Sequence, residues 1–187
     1  MDVTEATFED EVVARSREVP VVVDFWAAWC GPCRALTPVL EERVAARDGS
    51  VVLAKVDVDA NPGLAATFRV QGIPAVKAFR DGRVVAEFVG ARPAAAVESF
   101  LDELLAPPRV NALVEELRES GELPEVRQAL EDGDTERALD LVLGQIAGAP
   151  PERRERLRDL ALAVFHDRGH DDPVTVAYRR RLAAALY

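Results

Sequence analysis

Cys30 and Cys33 are the two cysteines of the chain, with only Gly31 and Pro32 between them. A reactive dithiol needs one sulfur to attack a disulfide and a second within reach to resolve the mixed disulfide. Two intervening residues deliver that reach when they open a helix, and Pro32 suits an early helical position. Cys30 is then expected at a helix N-terminus, where unpaired N–H groups and the helix dipole favour its thiolate. Cys33, one turn further in, is expected to be the more buried, resolving thiol. The other chemistry open to such a pair is half of a zinc site, which needs further ligands. The imidazoles, His166 and His170, lie far along the chain on either side of Gly169. They read as solvated residues at a helix end, so the redox reading is preferred and no metal is expected.

Asp24 is the next group with chemistry to offer. It interrupts the apolar run Val21-Val22-Val23-Asp24-Phe25-Trp26, shortly before the cysteines. A carboxyl on a buried strand is unfavourable unless it is neutral or paired. Desolvation raises its pKa, which suits a proton shuttle for a buried thiol. The plain alternative is a carboxylate at a strand end in water. Ile73-Pro74 precedes a strand-like segment, where proline often marks only a boundary. A cis bond there would bring backbone beside the cysteines.

Several elements must hold these groups. Phe8, Val12 and Val13 fit one face of a short helix, with Thr4 or Thr7 as its cap. Residues 19–26 read as a buried central strand. Residues 34–47 have helical spacing through Leu36, Val39, Leu40 and Val44, with Pro38 expected to kink them. Residues 51–57 form a second strand and 61–69 a short helix that starts near Pro62. Residues 75–79 and 84–88 alternate like strands around Asp81-Gly82, a hairpin signal. Pro93 then opens a helix through Leu105. Alternating strands and helices followed by a hairpin imply an α/β unit, a mixed central sheet flanked by helices.

Pro107-Pro108 ends that unit, and the remainder reads as helix. Apolar stripes occur at Val110, Leu113, Val114 and Leu117, at Ala138, Leu141, Val142 and Leu143, and at Leu157, Leu160, Ala161, Val164 and Phe165. The last helix places Val176, Leu182, Ala183 and Leu186 on one side and Arg179-Arg180-Arg181 on the other. Antiparallel helix pairs account for this pattern. The expected division is 1–106, a connecting helix over 107–122, and a small all-α domain over 123–187.

The whole chain is consistent with a soluble α/β protein. Of 187 residues, 49% are hydrophobic and 30% charged, with a net charge of −10. Such an acidic chain repels phosphates, which argues against nucleic-acid partners. The longest apolar stretch, 19–29, is broken by Pro20 and Asp24 and is too short to span a bilayer. The acidic start lacks the basic, then apolar, pattern of a signal peptide. A cytoplasmic location is expected, where a permanent structural disulfide is disfavoured.

The sequence 23–33, Val-Asp-Phe-Trp-Ala-Ala-Trp-Cys-Gly-Pro-Cys, resembles thioredoxin, together with Lys55-Val56-Asp57, Gly72-Ile73-Pro74, Asp81-Gly82 and Gly90 in the same order and spacing. The resemblance covers roughly the first 106 residues. It implies a thioredoxin fold and a protein-disulfide reductase without cofactor, with Cys30 as nucleophile and Cys33 resolving. It also implies that Asp24 is the buried acid/base with Lys55 its neighbour, and that Pro74 is cis. Trp29, Gly31, Pro32, Gly72, Ile73 and Gly90 become the substrate-contact surface. The Gly-Pro dipeptide implies a reducing pair, near about −270 mV. Clients with thiols or disulfides, and thioredoxin reductase as electron source, are the partners implied.

The remainder resembles the tetratricopeptide-like part of the chaperedoxin family. The matching pieces are Gly133-Asp134 followed by Ala138-Leu139-Asp140, and the ending 178–187. One repeat takes about 34 residues, so two helix pairs fit at most. This second resemblance implies a co-chaperone that holds clients and delivers them to the chaperonin. The contact is assigned to Tyr178, Arg179, Arg180, Arg181, Leu182, Leu186 and Tyr187. The competing reading is a plain disulfide reductase whose tail is structural or a partner-docking module.

Overall fold

The computed structural model describes residues 1–186; Tyr187, assigned above to chaperonin contact, lies outside the described residues. The chain divides into two compact units, Met1–Ala106 and Pro107–Tyr187.

The first unit is built on a four-stranded sheet in the order β2-β1-β3-β4. The strands are β1 (Val21–Trp26), β2 (Val52–Asp57), β3 (Ala75–Arg80) and β4 (Arg83–Val89). β1 is parallel to β2 and antiparallel to β3, and β3 is antiparallel to β4. The β-branched, apolar sequence of β1 suits burial on both faces, and five of its six residues are buried, whereas β4 at the sheet edge has no buried residue. Asp81 and Gly82 both take positive φ, 53° and 77°, the geometry of a type I′ hairpin turn. The backbone N–H of Asp81 and of Gly82 donate to the carbonyl and hydroxyl of Ser16, each at 2.9 Å.

Strand alternation decides which layer each side chain enters. Val21, Val23 and Phe25 pack with Phe8, Val12, Leu64 and Phe68 on one face. The helical segment Glu9–Ala14, wound with π-type bonding, and α2 (Pro62–Thr67) supply that layer. Val22, Val76 and Ala78 pack on the other face against α1 (Gly31–Ala45) and α3 (Ala94–Leu105), through Leu36, Leu40, Val97 and Leu101. Asp24 shares the parity of Val22 and therefore points into the α1 layer. α1 continues through Pro38 without interruption, although proline lacks the N–H that would bond the carbonyl of Arg34.

The second unit is all helix: α4 (Arg109–Ser120), α5 (Pro124–Glu131), α6 (Thr135–Ile146), α7 (Pro151–Arg168) and α8 (Pro173–Leu186). Segment 107–122, expected as a connecting helix, contains α4, whose Leu117 is 1% exposed in the core of this unit. α5 to α8 form the two helix pairs. The stripe of α8 differs from its expected composition. Its buried residues are Thr175, Tyr178 and Leu182, while Val176 and Ala183 are exposed. Thr175, Tyr178 and Leu182 follow helical i, i+3, i+7 spacing, and Asp172 sets the phase. Its Oδ1 accepts from the N–H of Val174 and Thr175 at 3.0 and 3.1 Å, capping the helix. Arg168 grips the same carboxylate with two nitrogens, at 2.9 and 3.0 Å.

Leu157 is fully buried at the centre of the second unit. Leu157→Ala is expected to destabilise that unit by about 2–5 kcal/mol, read as a lower urea midpoint by circular dichroism.

Candidate active site

The chain leaves β1 at Trp26 and enters α1 five residues later, with Cys30 as its N-cap. The Cys33 N–H donates to Cys30 Sγ at 3.1 Å. The two sulfurs form a disulfide with Cα atoms 5.3 Å apart. Cys33 is fully enclosed and Cys30 keeps a 3% exposed edge. On reduction, the helix N-terminus and the Cys33 N–H would both stabilise negative charge on Cys30 Sγ.

Asp24 lies beneath this helix. It is fully buried at the centre of β1. The Thr37 hydroxyl donates to its Oδ2 at 2.7 Å, while its buried Oδ1 has no partner in the structure. Burial pushes the carboxyl up from its ordinary 3.8 to about 6, against the Thr37 hydrogen bond and the Lys55 charge that favour the ionised form. Lys55 is the β2 residue in register with Asp24. Its ammonium nevertheless bonds Glu41 of α1, at 2.8 Å, and that bond is the largest influence raising the Lys55 pKa. Lys55 therefore acts on Asp24 through its field and not by contact. A cavity of about 240 Å³ opens here, lined by Trp26, Cys33, Arg34, Thr37, Pro38 and Lys55.

Thr37 and Glu41 are the parts that sequence reasoning missed. With Cys33 they sit at i, i+4 and i+8 of α1, so one helix face carries all three. That spacing is visible in the sequence once Asp24 is placed beneath α1.

The surface around the sulfurs gathers most of the remaining residues. Ile73 packs against Cys30 and Cys33. The Ile73–Pro74 bond is cis, and the Gly90 N–H donates to the Pro74 carbonyl at 2.7 Å. Gly90 has φ 88°, a value that favours glycine. Gly72 lies close to Val89, which is 60% exposed. Trp29 is 69% exposed, its indole N–H donating to Asp59 at 2.8 Å. Gly31 and Pro32 are exposed beside the disulfide. Together they form an open apolar surface around a small reactive centre.

The residues assigned to a partner on α8 divide differently. Tyr178 and Leu182 are core residues, 6% and 5% exposed, so a partner meets neither unless α8 detaches. Arg179 bonds His170 at 2.9 Å and lies over the Phe165 ring. Arg181 pairs with Asp140 at 2.7 Å and lies over Tyr178. Arg180 is exposed and Leu186 half-buried. Among the described residues no group of three or more metal-binding side chains occurs, and no helix is long and apolar enough to cross a membrane.

A family model described as thioredoxin matches residues 1–103, and one described as tetratricopeptide repeat matches residues 125–187. Mitochondrial thioredoxin of Mus musculus is 48% identical over 98 residues, 52% of this chain and 58% of that protein. Thioredoxin of Mycobacterium tuberculosis (strain ATCC 25618 / H37Rv) is 43% identical over 109 residues, 58% of this chain and 90% of that protein. Thioredoxin 1 of Synechococcus elongatus is 43% identical over 103 residues, 55% of this chain and 94% of that protein. The chain thus spans less than two thirds of the length of the mouse and rat relatives and nearly all of the bacterial ones.

The raised Asp24 pKa fixes a pH dependence of stability. The folded chain binds this proton more tightly than the unfolded one, so stability falls as pH rises from 3.8 to about 6 and stays lower above that. Asp24→Asn removes the buried charge. It is expected to stabilise the protein by about 3 kcal/mol at pH 8, with the gain fading toward pH 4. Guanidinium unfolding across that range measures it.

Proposed function

The chain belongs to the thioredoxin family, and from that membership we propose that it reduces client disulfides through Cys30 and Cys33 and serves as a co-chaperone through its helical unit. The Cys30–Cys33 centre is that of a thioredoxin-type dithiol/disulfide oxidoreductase. The observation that carries the reading is this pair at the N-terminus of α1, above the buried Asp24.

The placement of Cys30 at the N-terminus of α1, with Asp24 buried beneath, supports the following steps. Cys30 thiolate attacks one sulfur of a client disulfide; the Cys30–client bond forms, and the other client sulfur leaves with the bonding electron pair. The Asp24 carboxylate then takes the Cys33 proton. The Cys33 thiolate attacks Cys30 Sγ, the intramolecular disulfide forms, and the second client sulfur leaves as thiolate. The two client thiolates gain protons, one returned by Asp24 and one from solvent. The client disulfide has become two thiols and the dithiol has become a disulfide. A two-electron donor, thioredoxin reductase by family resemblance, restores the dithiol in a reducing compartment such as the cytoplasm. Trp29, Gly31, Pro32, Gly72, Ile73, Pro74 and Gly90 receive the client beside the sulfurs. The exposure of Trp29 and the packing of Ile73 on the cysteines support that role.

The helical unit holds unfolding clients and delivers them to the chaperonin, as chaperedoxins do. The tetratricopeptide-repeat match over 125–187 supports an interaction module. Arg180, with Arg179, Arg181, Leu186 and Tyr187, docks the chaperonin, while Tyr178 and Leu182 keep α8 in place.

Insulin reduction under a dithiol donor tests the redox half: the wild type turns over and Cys30→Ser does not. An inactive wild type would remove this reading. A Cys33→Ser trap in cells is expected to retain clients as mixed disulfides. Recovery of chaperonin in pull-downs tests the helical half. Arg180→Glu is expected to reduce it several-fold, and equal recovery from both proteins would argue against docking through α8.

A further inference from the structure

A threonine inside a helix commonly turns its hydroxyl back to the carbonyl four residues earlier. Thr37 does otherwise. Its single hydroxyl proton goes across to Asp24 Oδ2, at 2.7 Å. Among the described residues it is the one hydrogen-bond donor to this carboxyl, because Lys55 is turned to Glu41. Asp24 Oδ1 is left buried and unpartnered. Thr37 stands one turn after Cys33, and both line the same cavity of about 240 Å³. Side chains so spaced have Cβ atoms roughly 5–6 Å apart, so the carboxyl held by Thr37 meets the same helix face that carries the Cys33 sulfur.

We propose that Thr37 is a positioning residue of the redox centre: it ties down Oδ2 of Asp24 and so reserves Oδ1 for proton exchange with Cys33. This inference rests on the oxidoreductase reading given above. In the resolving step Oδ1 takes the proton of Cys33 Sγ. The Cys33 thiolate bonds to Cys30 Sγ as the Cys30–client bond breaks, and the client sulfur leaves with the electron pair. A carboxyl with both oxygens free would rotate about its bond to Cβ; the Thr37 bond removes that freedom. The same bond favours the carboxylate over the acid, opposing burial, and so keeps Asp24 ionised at neutral pH, ready to take a proton. The charged groups acting on it are Lys55 from β2 and Glu41 from α1, which pull its proton affinity in opposite directions; β3 opposes it in register with Val76.

The test uses the full chain with Thr37→Val, which keeps the side-chain shape and deletes the hydroxyl, and Thr37→Ser, which restores it. The Asp24 carboxyl carbon is followed by NMR against pH in the oxidised protein, a measurement independent of turnover. Thr37→Val is expected to raise the Asp24 midpoint by about one pH unit, and Thr37→Ser to return it to the wild-type value. The lower pH limit of insulin reduction is expected to rise by the same interval, and in an Asp24→Asn background Thr37→Val is expected to add no shift. An unchanged midpoint in Thr37→Val overturns the proposal, as does a pH shift that persists without Asp24. A wild type that fails to reduce insulin instead overturns the oxidoreductase reading, and the titration still decides whether Thr37 governs Asp24.

Discussion

A carboxyl group at the centre of the innermost strand is the constraint around which the first unit is arranged. Asp24 is enclosed on all sides, in a strand whose other buried positions are valine and phenylalanine. A buried charge of this kind must shift its pKa, find a partner or do both. Here a helix laid across the strand supplies the partner, and the same helix carries the cysteines. Cys33, Thr37 and Glu41 occupy successive turns of α1, so one face delivers the Cys33 sulfur, the hydrogen bond to Asp24 and the anchor for Lys55. The position of α1 is fixed in turn by Leu36 and Leu40, packed with Val22 and Val76 beside Asp24. Packing and chemistry are thus carried by interleaved residues of one helix.

The helical unit rests on a different kind of constraint. Its apolar cluster, including Leu117, Leu139, Ile146, Leu157 and Phe165, is closed by α8, which contributes Tyr178 and Leu182. Asp172 holds the start of α8 by capping it and by receiving Arg168. Two of the three consecutive arginines are then drawn into internal contacts, Arg179 with His170 and Phe165, Arg181 with Asp140 and Tyr178. The arginine run is thus not a uniform basic patch: Arg179 and Arg181 are tethered by internal contacts on either side of Arg180, and all three stay exposed.

The succession of strands and helices, the hairpin at Asp81-Gly82 and the place of Cys30 at a helix N-terminus were legible because each depends on neighbours in sequence: β-branched runs, a turn dipeptide, a cysteine before Gly-Pro. The burial of Asp24 was legible for the same reason, from its apolar flanks. Thr37 and Glu41 were not, because their function depends on which face of α1 meets the sheet. That face is settled only when β1 and α1 are packed together. The division of labour on α8 was also hidden. Val176 and Leu182 look equivalent by composition, and only the cap at Asp172 sets the phase that buries Thr175 and leaves Val176 in solvent.

The pairing of Lys55 with Glu41 has a consequence for the chemistry of Asp24. Had the ammonium bonded Asp24 directly, the two would form a buried ion pair, and a carboxyl so paired stays ionised across the ordinary pH range. Glu41 draws Lys55 away and leaves only its field to act, so desolvation outweighs the forces that favour the charge and Asp24 titrates near 6. In the proposed mechanism Asp24 both takes and returns a proton, and such a group needs its affinity close to the working pH. Burial alone would overshoot that balance, and an ion pair alone would fall short of it. A neutral hydroxyl at Oδ2 combined with a diverted cation sets a value between the two. The unfavourable charge above that pH is tolerated because the apolar layers on both faces of the sheet stabilise the fold around it.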